Sequence, residues 1–356
     1  MENITLTIMN DKLLEIYELR HIRIASEMIE KYPILYDNYC EFIFCIACYM
    51  GDTNFVHYLV DNYDINFRID NDLFFRLLCD NADSNIDLID YFMDKYPDID
   101  VSFDNEYIFR VACKIGFLNF IKRLSNSYEI NVHESNELPF QKACEYGHYE
   151  VVKYLLKKYP DIDIHADKEL ALHNTCTYGY LDILKLLLKR GANIHIMNEN
   201  PIKKACRYGQ LEIIKYLLHE YNDIDIRNND DLAFYLACRE DHLDVIKYLL
   251  KKFPKIDVHA NDDKILCIAC KNGHLEVVKY LVNNYNFDAY IISHAIRLCC
   301  NHNNTCSHNY YEIVRLLKYT HPFVDISNIW IGTNYSEEIY HFMINNQSGL
   351  IKRANK

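Results

Sequence analysis

One short pattern recurs along the chain at a nearly constant interval. Cysteines with matching surroundings occur at nine positions: Cys48, Cys79, Cys113, Cys144, Cys176, Cys206, Cys238, Cys270 and Cys300. Successive members, called phased cysteines below, are 30 to 34 residues apart, and the gap of 34 contains two extra residues within 80–86. So narrow a spread is not chance. A period near 32 residues indicates a stacked array of helical repeats.

Glycine and proline follow the same period. Six of the nine glycines lie three residues after a phased cysteine, where a left-handed backbone ends one helix and lets the next begin: Gly51, Gly116, Gly147, Gly179, Gly209 and Gly273. Asp241 and Ala82 stand at this place in two other repeats. The prolines open first helices (Pro139, Pro201) or follow second helices (Pro33, Pro97, Pro160, Pro254, Pro322). Each repeat is therefore predicted as helix, tight turn, helix and a short extended stretch.

The second helix and the extended stretch differ in their hydrophobic pattern. Within Glu150–Lys158, a wide apolar helical face contains Val151, Val152, Tyr154, Leu155 and Leu156. The following "DIDIH" (161–165) alternates polar and apolar residues, as do its counterparts "DIDV" (98–101), "DIDI" (223–226) and "KIDV" (255–258). We predict a projecting β-turn there, called the finger, with buried isoleucines and with aspartates facing water. The predicted fold class is all-α with short β-turn fingers.

These residues resemble the ankyrin repeat. The segment "LPFQKACEYGHYEVVKYLLKKYPDID" (138–163) is similar to the family pattern T-P-L-H-x-A-A-x-x-G-H-x-E-V-V-x-L-L-L-x-x-G-A-D-x-N, and "LALHNTC" (170–176) and "RGANIH" (190–195) keep further parts of it. Cysteine replaces the second core alanine, Tyr-Pro often replaces Gly-Ala, and the usual finger glycine is missing, which leaves the finger's shape open. The richness in Tyr, Asn, Ile and Lys also resembles the multi-copy ankyrin proteins of giant DNA viruses.

The resemblance covers about residues 34–326 and implies an ankyrin solenoid of about nine full repeats. We expect a partial capping repeat at 1–37 and a C-terminal cap with a basic tail at 327–356, since terminal repeats must shield the last apolar face. The predicted repeat ranges between them are 38–67, 70–100, 104–133, 135–164, 166–195, 197–226, 228–257, 260–289 and 290–320.

Composition bounds the function. The net charge of −13 argues against nonspecific binding to nucleic acid or an anionic membrane. Residues 1–10 lack the pattern of a secretory signal, and the longest apolar run, Phe42–Met50, is too short to span a bilayer. Nine of the fourteen cysteines share one core position, so we expect reduced thiols. These features predict a cytoplasmic protein, in the host cytoplasm if the chain is viral.

Two chemical alternatives are weighed and set aside. "CCNHNNTCSH" (299–308) offers Cys299, Cys300, His302, Cys306 and His308 as zinc ligands. Its spacing matches no zinc motif, and its first two cysteines fill core positions, so no metal and no cofactor are predicted. The sequence contains no HExxH, G-x-G-x-x-G, P-loop or G-x-S-x-G element, and the set Gly147, His148, Glu150 recurs at 273–276, as structural sets do. We predict no enzymatic activity.

The predicted function is a monomeric scaffold that binds proteins through a concave face of fingers and first helices. The alternative is an adaptor that delivers targets to a host ubiquitin ligase or another host enzyme through Met1–Pro33 or the C-terminal cap. The candidate contacts are residues that end the first helices, placed beside the finger, and three finger residues; they are Lys114, Glu145, Tyr146, Thr177, Tyr178, Arg207, Tyr208, Arg239 and Lys271, with His165, Arg227 and His259. Tyrosine and arginine are enriched at binding hot spots. The tyrosines could equally be padding between neighbouring repeats.

Overall fold

The structure, a computed structural model, describes residues 39–66, 73–80, 82–96, 105–300 and 308–324, together with Ile339 and Phe342. The chain divides into an N-terminal body, residues 1–167, and a C-terminal body, residues 168–356. The predicted N-terminal cap and most of the C-terminal cap lie outside the described residues.

The N-terminal body contains four helix pairs in its described part. They are α1 (Tyr39–Met50) with α2 (Thr53–Asn62), α3 (Leu73–Asp80) with α4 (Ala82–Lys95), α5 (Asn105–Ile115) with α6 (Leu118–Ser127), and α7 (Glu134–Glu145) with α8 (Tyr149–Lys158). Neighbouring first helices pack side by side, α1 on α3, α3 on α5 and α5 on α7. Each second helix packs on the first helix of its own pair.

The C-terminal body continues with five helix pairs among the described residues. They are α9 (Ala166–Tyr178) with α10 (Leu181–Lys189), α11 (Ile196–Arg207) with α12 (Leu211–Glu220), α13 (Asn228–Arg239) with α14 (Leu243–Lys252), α15 (Ala260–Asn272) with α16 (Leu275–Asn284), and α17 (Ala289–Cys300) with α18 (His308–Thr320). First helices α11, α13, α15 and α17 again pack side by side in order. Since the described part of the chain contains no strand, the predicted all-α repeat fold is confirmed.

The core is built as the period predicts. All nine phased cysteines are buried and carry free thiols. Burial raises the pKa of Cys176 and of Cys300 to about 12, because a buried site disfavours the thiolate. In α8, Val151, Val152, Leu155 and Leu156 are buried, whereas Tyr154 is only half-buried. The prediction that Tyr154 belongs to the core face was therefore only partly right.

The tight turns follow the predicted backbone. The six phased glycines have φ between 69° and 87°. Asp241 takes the same left-handed conformation, with φ 67°. Aspartate bears this conformation better than most residues because its short side chain can bond locally. The turn position therefore requires left-handed backbone, and glycine is its usual but not its obligatory occupant.

The finger contains the predicted β-turn. Ala166 N–H donates to Asp163 C=O at 3.2 Å, and Ala260 N–H donates to Asp257 C=O at the same distance. Ile162 and Ile164 are buried while the two aspartates beside them are exposed, as predicted. The second aspartate has a further role, because Asp163 Oδ1 accepts a hydrogen bond from His165 N–H at 2.9 Å. Such side-chain bonds to backbone two residues ahead stabilise turns.

The junction between finger and first helix replaces the missing glycine in an unusual way. Residues 135–137 and 167–169 have φ between 49° and 65°, so three successive non-glycine residues are left-handed in each junction. Regular right-handed helix begins after them, which places Pro139 in its first turn, as predicted. Left-handed non-glycine residues cost free energy, so surrounding contacts must hold them.

The C-terminal cap is described at two residues only. Ile339 is buried, and the Phe342 ring lies 5.8 Å from the Tyr311 ring of α18, edge to face. Both residues belong to the predicted C-terminal cap, and Phe342 contacts the last helix pair.

Candidate protein-binding surface

The ends of the first helices are held by side chains from the next repeat. His148 Nε2 bonds to the Lys114 carbonyl at 2.7 Å in the N-terminal body. In the C-terminal body, His242 Nε2 bonds to the Arg207 carbonyl at 2.9 Å and His274 Nε2 to the Arg239 carbonyl at 2.7 Å. A free carbonyl at a helix end needs such a partner. In these repeats the residue four positions after the phased cysteine, called the bridging residue below, supplies it, whereas Phe117 at that position has no polar side-chain atom.

The bridging side chain packs closely on the turn of the preceding repeat, where glycine usually gives it room, although His274 keeps its bond beside Asp241. A Cβ atom at Gly209 would lie 2.5 Å from His242 Nδ1, and one at Gly179 would also meet Gln210, the bridging residue of the next repeat. Gln210 Nε2 donates to the Thr177 carbonyl at 2.9 Å. These glycines therefore serve two needs, the left-handed backbone and the close approach of the next repeat.

The bridge persists where the chain carries extra residues. Asn85 lies six positions after Cys79, the usual four plus the two extra residues, and its Nδ2 donates to the Cys48 carbonyl at 2.9 Å. Tyr310 lies ten positions after Cys300, and its hydroxyl donates to the Lys271 carbonyl at 3.0 Å. A side-chain bond to the preceding repeat is thus kept after each insertion, with Asn85 reaching the carbonyl of the phased cysteine itself rather than that of the next residue.

The three predicted tyrosines are exposed at these helix ends. Tyr146 and Tyr208 are each 42% exposed and Tyr178 is 50% exposed. Lys114 Nζ lies 5.5 Å from the centre of the Tyr146 ring, and Arg207 Cζ lies 5.5 Å from that of Tyr208. The three side chains therefore keep much of their surface in solvent, and cations lie beside the rings of Tyr146 and Tyr208.

Two lysines beside the tyrosines were missed by the sequence analysis. Lys142 Nζ lies 6.0 Å from the Tyr146 ring and 2.8 Å from Glu145 Oε2. Lys204 Nζ lies 5.9 Å from the Tyr208 ring. The four-residue spacing from lysine to tyrosine on one helix was the available signal, because such residues share a helix face.

Arg207 and Arg239 converge on one acid. Arg239 Nη2 lies 2.6 Å from Glu240 Oε1, and Arg207 Nε, from the preceding repeat, lies 3.4 Å from the same oxygen. The hydrogen bond from Arg239 and the positive charge of both arginines lower the pKa of Glu240. Lys271 is exposed and, within the described residues, has no acidic partner. Thr177 is half-buried at the end of α9.

The finger residues lie at the other end of the first helices, which corrects one prediction. Tyr178 ends α9, a helix of 13 residues, while the preceding finger enters at its beginning. Regular helix runs from residue 170 to Tyr178, and with ~1.5 Å of rise per residue its two ends are roughly 12 Å apart. The residues after the phased cysteines therefore do not lie beside the fingers.

Two of the candidate finger residues pair with acids in their own repeat. Arg227 Nε lies 3.3 Å from Asp231 Oδ1, and His259 Nδ1 lies 2.5 Å from Asp263 Oδ1. His165 is exposed. These pairs fix the beginning of the first helix, a structural role that the sequence analysis did not assign.

His133 shows the same arrangement in the N-terminal body. Its Nδ1 bonds to the buried Glu137 at 2.7 Å, and its Nε2 lies 3.2 Å from Asp161 Oδ2. The hydrogen bond to Glu137 raises the pKa of His133. Glu137 Oε1 also accepts from the Asp163 backbone N–H at 3.2 Å. The acid therefore joins the beginning of one first helix to the next finger.

The described residues contain no group of three His, Cys, Asp or Glu side chains placed to hold a metal ion. In the zinc candidate, residues 301–307 with His302 and Cys306 lie outside the described part. None of the helices in the described ranges has the length and apolar character that a membrane span needs.

The helix pairs, their constant period and the bridging residues define a helical repeat protein. The family model "Ankyrin repeats (3 copies)" matches residues 70–168, 109–198, 172–262 and 235–328, which together span more than half of the chain. The chain belongs to the ankyrin repeat family. Such repeats generally mediate protein–protein interaction and are typically non-enzymatic.

The chain is also similar to solved structures, among them that of an ankyrin repeat domain. The crystal structure of the human ASB11 ankyrin repeat domain is 21% identical, with a TM-score of 0.42, and the match covers 62% of this chain and 95% of that domain. No curated protein matches the chain.

Proposed function

We propose that this chain is a non-enzymatic scaffold and that its helix-end surface contacts a protein partner. The helix-end surface is the set of residues one and two positions after the phased cysteines, from Lys114 to Lys271. The main support for this proposal is that Tyr146, Tyr178 and Tyr208, at the same position in three repeats, are each 42–50% exposed to solvent. Tyrosine offers a large, rigid contact area at low entropic cost, which suits this position to binding.

The bridging residues support this proposal by ordering the helix ends. Because His148, Gln210, His242 and His274 hold the backbone carbonyls of the helix-end surface, its side chains project from fixed positions. A pre-ordered surface loses less conformational entropy on binding than a mobile one. The finger residues His165, Arg227 and His259 belong to a separate region, and we propose them as secondary contacts only.

The padding alternative makes a different prediction. Lys114 and Lys142 already contact Tyr146, so part of each ring serves the fold. If padding were the whole role, removing the rings would lower stability and leave binding unchanged. We propose instead that removing the rings would mainly reduce binding and change stability little, because about half of each tyrosine remains in solvent.

The test removes the rings together. Tyr146→Ala, Tyr178→Ala and Tyr208→Ala in one variant should abolish recovery of the protein captured by the wild-type chain from cell lysate, with little change in melting temperature. The matched control is Tyr290→Ala with Tyr319→Ala, which removes two exposed tyrosines, 77% and 85% exposed, outside the surface. Equal recovery by all three proteins, with folding intact, would show that the rings are padding.

The finer predictions are part of this proposal. We propose a monomer that acts in the cytoplasm, and a viral origin on the basis of composition. The adaptor alternative depends on 1–33 or on the C-terminal cap, which the structure does not describe beyond two residues, and no observation favours it over the scaffold. Deleting residues 1–33 would distinguish them, because only an adaptor would lose a host enzyme subunit and keep its other partners.

A further inference from the structure

The helix-end surface of the C-terminal body contains a carboxylate held by two arginines. Arg239 contacts Glu240 Oε1 through Nη2 at 2.6 Å and Nε at 3.0 Å, and Arg207 approaches the same oxygen through Nε at 3.4 Å. The three side chains are 31%, 42% and 37% exposed, for Arg239, Arg207 and Glu240 in that order. We call Arg207, Arg239 and Glu240 the arginine–glutamate cluster.

The cluster has an excess of positive charge. Lys204 and Arg207 both lie against the ring of Tyr208, at 5.9 Å and 5.5 Å. Lys271, exposed at the end of α15, adds a further cation one repeat on, and Asn272 Nδ2 ties that helix end to the Arg239 carbonyl at 2.9 Å. Glu240 is the acid within the cluster, and Asp241 in the adjoining turn faces His274 at 3.8 Å. A chain with net charge −13 thus presents a basic site here.

The ion pairs of Glu240 with Arg207 and Arg239 have unfavourable geometry. All three of these contacts from the arginines reach a single oxygen of Glu240, so the parallel two-bond geometry that arginine and carboxylate prefer is not formed. Exposed ion pairs of this kind stabilise a protein little, so separating one costs little. An incoming carboxylate could therefore take the place of Glu240 and form better bonds with both guanidinium groups.

The position of Glu240 in the repeat supports the idea that its carboxylate occupies the place of a partner's carboxylate. It occupies the second place after the phased cysteine, where three other repeats have an exposed tyrosine. Tyr208 of the preceding repeat provides an apolar ring beside Arg207. The site thus combines paired guanidinium groups with an aromatic surface, which suits a peptide carboxylate and its neighbouring apolar side chain.

We propose that the arginine–glutamate cluster binds an acidic polypeptide segment, whose carboxylate replaces that of Glu240 between Arg207 and Arg239. This rests on the proposed function, since it names the chemistry of the partner at the helix-end surface. The net charge of −13 favours a short acidic peptide over a nucleic acid, whose long run of charge would meet the acidic remainder of the chain.

The proposal predicts effects of opposite sign within one cluster. Glu240→Gln removes the internal competitor and should tighten binding of an acidic peptide about threefold to tenfold, while Arg207→Gln with Arg239→Gln should weaken it about tenfold or more. The control is Glu276→Gln, which also removes one exposed acid, paired with Lys279 at 3.7 Å on α16, and changes the net charge equally. It should leave the affinity within about twofold.

The assay is fluorescence anisotropy with three labelled probes at two salt concentrations. They are a twelve-residue peptide of alternating Glu and Gly, its Lys–Gly counterpart, and single-stranded (dT)12. Tighter binding of the Glu peptide by Glu240→Gln, and weaker binding by the double arginine variant, would support the proposal. Melting temperatures of all variants establish that each is folded.

Several outcomes would overturn it. The proposal fails if neither the wild-type chain nor Glu240→Gln binds the Glu peptide. It also fails if Glu276→Gln binds that peptide as much more tightly as Glu240→Gln does, or if (dT)12 binds more tightly than the Glu peptide. If the tyrosine variant loses the captured protein while the Glu240 and arginine variants keep it, the proposed function stands and this inference fails.

Discussion

Replacing Gly209 with alanine tests whether the turn glycine is needed both for the left-handed backbone and for the close approach of the next repeat. Gly209 has φ +72°, and left-handed backbone costs a residue with a Cβ ~1–2 kcal/mol. The new Cβ would lie 2.5 Å from His242 Nδ1, so the ring must shift, and we expect its 2.9 Å bond to the Arg207 carbonyl to weaken. That bond adds about 0.5–1.5 kcal/mol. We expect Gly209→Ala to cost roughly 1.5–3.5 kcal/mol in total.

The chain offers a matched control for the backbone contribution. Gly191 also has a positive φ, +97°, but a Cβ there would have no atom within 4 Å. Gly191→Ala should therefore cost only the backbone strain, about 1–2 kcal/mol. A second control is the double variant Gly209→Ala, His242→Ala. Without the ring, the alanine should cost no more than it does at position 191, since the two effects are coupled.

The measurement must respect the repeat architecture. A stack of repeats need not unfold in one step, so urea unfolding followed by circular dichroism should be paired with hydrogen exchange of amides in α11 to α14. Protection should fall most at the junction of α11 with α13. Equal costs for Gly209→Ala and Gly191→Ala, or no coupling with His242→Ala, would refute the reasoning.

Four further outcomes are expected. Cys144→Ala should change the free energy of unfolding little, whereas Cys144→Phe should cost about 1–3 kcal/mol by overpacking, measured by urea unfolding. A thiol reagent should label few cysteines in the native protein and all fourteen after denaturation, since burial places the pKa of Cys176 at about 12; extensive native labelling would contradict this. The His133 ring should titrate by NMR with a pKa above 6.5, because Glu137 favours its protonated form. The stability that this pair contributes should be present below pH 6.5 and lost as pH rises through the folded pKa of His133. Glu137→Gln should return the pKa of His133 toward its ordinary value. Amides of 79–92 should exchange faster than those of α8, since their turn lacks glycine and carries two extra residues; equal protection would count against this.

Much of the fold could be predicted because it depends on local backbone chemistry. A glycine at a fixed place in the period allows few conformations, so the left-handed turns at Gly116 and Gly273 followed from sequence alone. Asp241 could be placed there for the same reason. Burial of Ile162 and Ile164 followed from their alternation with exposed aspartates.

Contacts between repeats could not be predicted in the same way. The bond from His242 to the Arg207 carbonyl joins residues 35 apart, and nothing local to either residue indicates it. The shared carboxylate of Glu240 is a similar case, since one arginine comes from the preceding repeat. The finger's distance from the helix ends was misjudged because the sequence gives the order of elements and not the direction in which a helix points.

The bridging residues have a consequence for how such a chain can be altered. Asn85 and Tyr310 restore the contact with the preceding repeat after two and six extra residues, each displaced along the sequence by the length of its insertion. The length of the tight turn between paired helices can thus change while a side chain after it still donates a hydrogen bond to the preceding repeat. A foreign peptide grafted ahead of His242, with that histidine retained, should be carried as a loop by an otherwise unmodified array, which makes these turns natural attachment points for a second binding specificity.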